Sequence, residues 1–156
     1  MENFSLVQLH KKYIKGTAPK AEVIEKTITI CHLTMAVFNT GHFKSRKVHI
    51  NTKALKHLYD KKPAEEYDFI IHNLHLIIKF PDHIYKNKLG KIGDVVFAKK
   101  IDRVEYLCSL QFTTFTNPDS VIEEVNFAVT SYRKRDEDYL NGYKLLWSWE
   151  GGTPPS

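Results

Sequence analysis

The 156-residue chain sets 23 lysines and arginines against 18 aspartates and glutamates, a formal charge of +5, with 42% hydrophobic, 12% aromatic and 26% charged residues. That length and balance predict one globular domain over 1–156 and exclude a disordered polyelectrolyte. No stretch reaches the roughly 18 consecutive apolar residues of a bilayer span, and the start of the chain lacks the charged-then-apolar design of a signal peptide; the reading is a cytoplasmic protein with no membrane partner.

In chain order, residues 1–24 show little periodicity and are expected to be weakly structured or peripheral. Residues 26–33 alternate and are rich in β-branched side chains, as in a half-buried strand. Asn39-Thr40-Gly41-His42 reads as a turn, and Val48-His49-Ile50 as a short returning strand ending at Asn51-Thr52, either of which can cap a helix. Leu55, Leu58 and Tyr59 then share one helical face, with His57 opposite and Pro63 as the stop. A second helix from Ala64 carries Tyr67, Ile70, Ile71, Leu74, Ile77 and Ile78 at helical spacing, until Phe80-Pro81-Asp82 ends it.

Beyond Pro81 the period changes to two. Strand-like runs cover 94–101, 104–113 and 121–133, with a short edge strand at 82–86, separated by hairpin-length gaps. Helices first and strands after predict an α+β fold: an N-terminal strand and helix segment, two helices, then a curled antiparallel sheet of about four strands with the helices on one face. Residues 138–156 form a tail whose Trp147 and Trp149 either pack to tie the terminus down, the reading preferred here, or stack on bases.

Alternation assigns side chains to faces. On the last strand it sends Val121, Val125, Phe127 and Val129 to the core and Asn126, Ala128, Thr130 and Tyr132 to the other side. On the middle strand Val104, Tyr106, Cys108 and Leu110 form the apolar set. The expected open face therefore carries Lys100, Ser109, Gln111, Asn126, Thr130 and Tyr132, flanked by Arg103 and Arg133. Arginine is the scarcer cation here, with Arg46, Arg103, Arg133 and Arg135 in all, and its planar fork suits bidentate phosphate contacts.

Several short segments resemble one group of proteins: Lys56-His57-Leu58 near a helix, the long apolar helix running into Phe80-Pro81-Asp82-His83-Ile84, the strand Val95-Val96-Phe97-Ala98-Lys99-Lys100-Ile101, and the final strand ending Val129-Thr130-Ser131-Tyr132. Over residues 48–133 the chain is similar to the phage-associated branch of the barnase, EndoU, colicin and RelE-like ribonuclease superfamily. The resemblance implies a nuclease-like core that cleaves RNA without a metal, as a toxin or phage-borne effector, with an inhibitor or antitoxin as a possible protein partner. It points to His57, Lys99 or Lys100, Thr130 and Tyr132.

Cleavage by a ribose 2′-hydroxyl needs a base, an acid and cations for the growing phosphate charge. The expected catalytic set is His57, Lys100, Thr130, Tyr132 and Arg133, with Lys99, Arg103, Ser109, Gln111 and Asn126 binding substrate. His42 on its turn is a rival histidine. No cofactor is implied: there is no Gly-rich phosphate loop, nucleophile elbow or dinucleotide fingerprint. His72 and His75 stand three apart without a completing ligand, and Cys31 and Cys108 read as buried thiols, so no metal is expected either. Two other classes fit the same features: a noncatalytic nucleic-acid-binding module on the basic face, and a protein-interaction or inhibitor domain.

Overall fold

The computed structural model describes residues 5–149. Helices α1 (Leu6–Leu9), α2 (Met35–Phe38), α3 (Thr52–Lys61) and α4 (Ala64–Lys79) combine with strands β1 (Thr27–His32), β2 (Lys47–Asn51), β3 (His83–Lys86), β4 (Val95–Ile101), β5 (Val104–Thr116), β6 (Ile122–Arg133) and β7 (Leu145–Ser148), and α1 runs into a π-helical turn at His10–Ile14. The expected helices form for the expected reasons. Asn51 caps α3 by accepting the Ala54 N–H at 2.8 Å, Pro63 separates α3 from α4, and Tyr67, Ile70, Ile71, Leu74, Ile77 and Ile78 of α4 are all buried. Among the described residues no helix is long and apolar enough to cross a membrane.

The α+β class holds, but the curled antiparallel sheet of about four strands does not. A single seven-stranded sheet has the order β1-β2-β6-β5-β4-β3-β7. It is mixed, because β2 lies parallel to β6, with Val48 opposite Asn126 and His49 opposite Phe127. The β1–β2 pair thus extends one edge, and β7 extends the other by pairing with β3. The parallel contact is closed by tertiary packing: Val48 and Ile50 are buried at 1% exposure or less, and the Asn126 amide donates to the Ser45 and Lys47 carbonyls at 2.8 and 2.9 Å.

One face of the sheet is covered by α1, α3 and α4. Leu6, Leu9, Leu55, Leu58, Ile70, Leu74, Ile77 and Ile78 meet Val48, Ile50, Ile84, Val95, Phe97, Tyr106, Cys108, Leu110 and Ala128 in the main core. The other face has a small second core of Val96, Ala98 and Leu107, covered by Tyr85, Tyr132, Tyr139, Leu140 and Tyr143.

Simple alternation fails on β6. Ser109 pairs with Thr130 but Leu110 pairs with Ala128, so Val129 is an extra residue in a β-bulge. Asn126 and Ala128 therefore lie on the helix-covered side, and Phe127 on the other, where it meets His49 and Phe115 edge to face. Thr130 and Tyr132, past the bulge, do reach the second face. Gly93 accommodates this kink: at φ +93° an added Cβ would stand 3.0 Å from Ser109 Cβ and 3.3 Å from Val129 Cγ2.

His49 gives the fold a pH dependence. It is 5% exposed, and burial holds its imidazole below the ordinary 6.5; Glu123 opposes that shift, while Lys47 and His32 reinforce it. Burial shifts His10, His32 and His75 in the same direction. The unfolded chain thus binds more protons than the folded one below about pH 6.5, and stability is lost as pH falls through that window toward the depressed folded values. The urea midpoint is expected to drop between pH 7.5 and 5.5, with part of the drop removed in His49→Leu; an unchanged midpoint would contradict this account.

Candidate functional site

The β4–β5 hairpin turns at Asp102 and Arg103, both with positive φ, +50° and +70°. This is the geometry of a type I′ turn, where glycine normally takes the second place. An arginine there is strained, and it carries its side chain to the end of the sheet where β3 begins and β4, β6 and β7 end.

At that end lies a cleft of about 840 Å³, lined by Asp82, His83, Lys100, Arg103, Val104, Glu105, Arg133, Lys134, Arg135, Glu137 and Trp149. Its cations fall into two groups. Lys134 Nζ pairs with Glu105 at 2.5 Å, and the carboxylate holds the ammonium above its ordinary pKa. Arg135 pairs with Glu66. The side chains of Lys100, Arg103 and Arg133, in contrast, make no hydrogen bond or ion pair among the described residues. These three outnumber the cleft's two other carboxylates, Asp82 and Glu137, and leave the concavity net positive, the arrangement that concentrates phosphate.

Neighbouring polar groups define the rest of the cleft. Asp82 Oδ2 accepts the Lys100 backbone N–H at 2.7 Å, which locks the start of β3 to the end of β4. His83 pairs across the sheet with Ala98, on the same side as Lys100 and Glu105. Its Nδ1 lies 3.0 Å from Ser148 Oγ of β7, a hydrogen bond that fixes the ring and leaves Nε2 as the other nitrogen. The Trp149 indole N–H is buried with no partner among the described residues, while its backbone N–H donates to the Asp82 carbonyl at 2.9 Å.

Glu66 anchors the cationic segment from behind. Its side chain, 5% exposed, takes the Arg133 backbone N–H at 3.1 Å and the Arg135 guanidinium. In the first turn of α4 it also suits the positive helix end. Glu66→Ala would leave the Arg133 N–H without its acceptor, so a loss of about 2 kcal/mol is expected, read as a lower urea midpoint, with Glu66→Gln retaining part of it.

The other expected site residues are dispersed. Lys99 points to the helix side, where its ammonium donates to the Phe80 carbonyl at 2.7 Å. Asn126 is engaged by β2, and Gln111 is exposed opposite Phe127. His57 is exposed on α3 and lines neither this cleft nor the one that holds Thr130. Ser109, Thr130 and Tyr132 gather in that second cleft with Lys62, Lys91 and Tyr139. There Tyr132 and Tyr139 share a hydroxyl hydrogen bond of 2.9 Å. Burial first, then the Tyr139 hydrogen bond, pushes the Tyr132 phenol well above its ordinary pKa. Lys62 Nζ stands 5.2 Å from the Tyr132 ring centre and Lys91 Nζ 5.9 Å from that of Tyr139, cation–π contacts worth about 0.5–1 kcal/mol each at such exposed positions.

Sequence reasoning named Arg135 among the four arginines suited to phosphate and Trp149 among the tail tryptophans without placing either in the site, and gave no role to His83 or Glu66. His83 stood in the Pro81-Asp82-His83 segment, where strand parity with Lys100 across the β3–β4 pair was the available signal. Glu66 carried none, since an acidic residue in a first helical turn is ordinary. Residues 150–156, the end of the expected tail, lie outside the described residues. No family model matches this sequence, and no curated protein or solved structure matches the chain.

Proposed function

We propose that this chain is a ribonuclease that binds RNA in the cleft at the β4–β5 turn and cleaves it through the ribose 2′-hydroxyl, without a metal. The observation that carries the reading is three cations, Lys100, Arg103 and Arg133, whose side chains have no partner among the described residues, lining one cleft with a histidine whose ring is held by Ser148.

In this scheme His83 takes the proton from the 2′-hydroxyl. The 2′-oxygen attacks the adjacent phosphorus, the bond to the 5′-oxygen breaks with its electron pair, and water protonates that oxygen. A 2′,3′-cyclic phosphate and a free 5′-hydroxyl result. Lys100, Arg103 and Arg133 hold the charge that grows on the non-bridging oxygens, the larger electrostatic share of such catalysis. An imidazole is suited to the proton transfer because it changes charge between pH 5 and 8. The role expected for His57 passes to His83, which stands beside the cations while His57 does not. The resemblance read from the short segments within residues 48–133 implies the same reaction class, as a toxin or phage-borne effector.

The test is incubation of the purified chain with mixed tRNA and mRNA in excess EDTA. Discrete fragments ending in cyclic phosphate support the reading. RNA that is bound but intact indicates a noncatalytic binding module, and RNA neither bound nor cut at physiological salt indicates a protein-interaction domain.

A further inference from the structure

We infer that the second cleft, on the same sheet face, is a mononucleotide site: a nucleobase lies against Tyr132 and Tyr139 and its phosphate sits between Lys62 and Lys91. The cleft measures about 380 Å³ and is lined by Lys62, Lys91, Ser109, Thr130, Tyr132 and Tyr139 together with Asn87 and Ile92. This volume is within the usual range of small-ligand sites.

Its chemistry selects the ligand. Among the described residues the lining holds two ammonium groups and no carboxylate, and neither Lys62 nor Lys91 has an ion-pair partner there. Both lysines rest instead over phenol rings, contacts weaker than the stacking of a base on an aromatic side chain. An arriving base therefore displaces the ammonium groups from the rings, and they turn to its phosphate. The rings themselves are held ready, because Tyr132 and Tyr139 are tied hydroxyl to hydroxyl and Tyr139 stacks on Tyr143. Thr130, whose hydroxyl has no partner among the described residues, and Ser109 in the floor offer donors and acceptors to a base edge. A bare phosphate would use the lysines alone, and an apolar ligand would leave them unpaired.

The nucleotide unit has two sources, a free nucleoside monophosphate or one residue of an RNA strand, and only the second rests on the ribonuclease reading. Calorimetric titration with uridine, adenosine, guanosine and cytidine 5′-monophosphates, with inorganic phosphate, and with an uncleavable 2′-O-methyl tetranucleotide separates them. At least one nucleotide is expected to bind at least fivefold tighter than phosphate. That affinity should fall about tenfold in Lys62→Ala and in Lys91→Ala and stay unchanged in Lys100→Ala; Tyr139→Phe, which keeps the ring, should retain it. Equal binding of phosphate and nucleotides, loss in Lys100→Ala but not in the lysine variants of the second cleft, or no nucleotide binding would each overturn the inference. A tetranucleotide bound at least tenfold tighter than the monomer, with the gain lost in Lys100→Ala, assigns the strand as the source. A tetranucleotide no tighter than the monomer assigns the free nucleotide, and leaves the ribonuclease reading to its own cleavage assay.

Discussion

Replacing Arg103 by glycine is expected to leave the fold as stable as before or up to about 1.5 kcal/mol more stable, while weakening RNA binding roughly tenfold. Both halves follow from the turn. A non-glycine residue in the left-handed region costs about 1–2 kcal/mol, and glycine relieves that at φ +70°; its greater freedom in the unfolded chain takes back about 0.5–1 kcal/mol. The binding loss is that of one charge-assisted contact, about 1.5 kcal/mol. Adding Lys100→Ala and Arg133→Ala, two more contacts of the same size, should bring the loss to about 1000-fold and lower the slope of log affinity against log salt by about 2, since each phosphate contact on a single strand contributes about 0.7. Fluorescence anisotropy over a salt series, beside urea unfolding, reads both. A destabilised Arg103→Gly protein that binds RNA normally would show that the arginine serves the turn.

His83→Gln separates binding from chemistry. Glutamine keeps a polar side chain facing Ser148 but cannot take and return a proton near neutral pH. The cleavage rate is expected to fall by about 10²–10⁴-fold, the usual share of general base catalysis, with RNA affinity within about twofold of the parent. His57→Ala should cleave normally, because His57 does not line the cleft.

Much of the local structure was legible and the assembly was not. The apolar spacing of Tyr67 to Ile78 is a local signal, and so are Pro63, Pro81 and the hairpin at Asp102-Arg103; each helix or turn appears where those residues place it. The β2–β6 pairing joins segments more than seventy residues apart, and its determinants, such as the Asn126 amide on Ser45 and Lys47, have no periodic trace. The bulge at Val129 is a one-residue event that puts the residues before it out of phase with those after it, so a single alternation cannot assign both. It explains why Thr130 and Tyr132 were placed correctly while Asn126 and Phe127 were exchanged. Lys100, Arg103 and Arg133 came together because all three adjoin strand ends meeting at one end of the sheet. His57 was drawn into the expected site by the resemblance, whereas the histidine beside the cations depends on the β3–β4 register, which sets His83 opposite Ala98.

The most direct test of the central claim is cleavage of a defined RNA in excess EDTA by the parent chain and His83→Gln, with binding measured in parallel. The account predicts cyclic-phosphate fragments from the parent and, from the variant, bound RNA cut at least a hundredfold more slowly. Equal cleavage by the two proteins, or intact RNA with both, would contradict it.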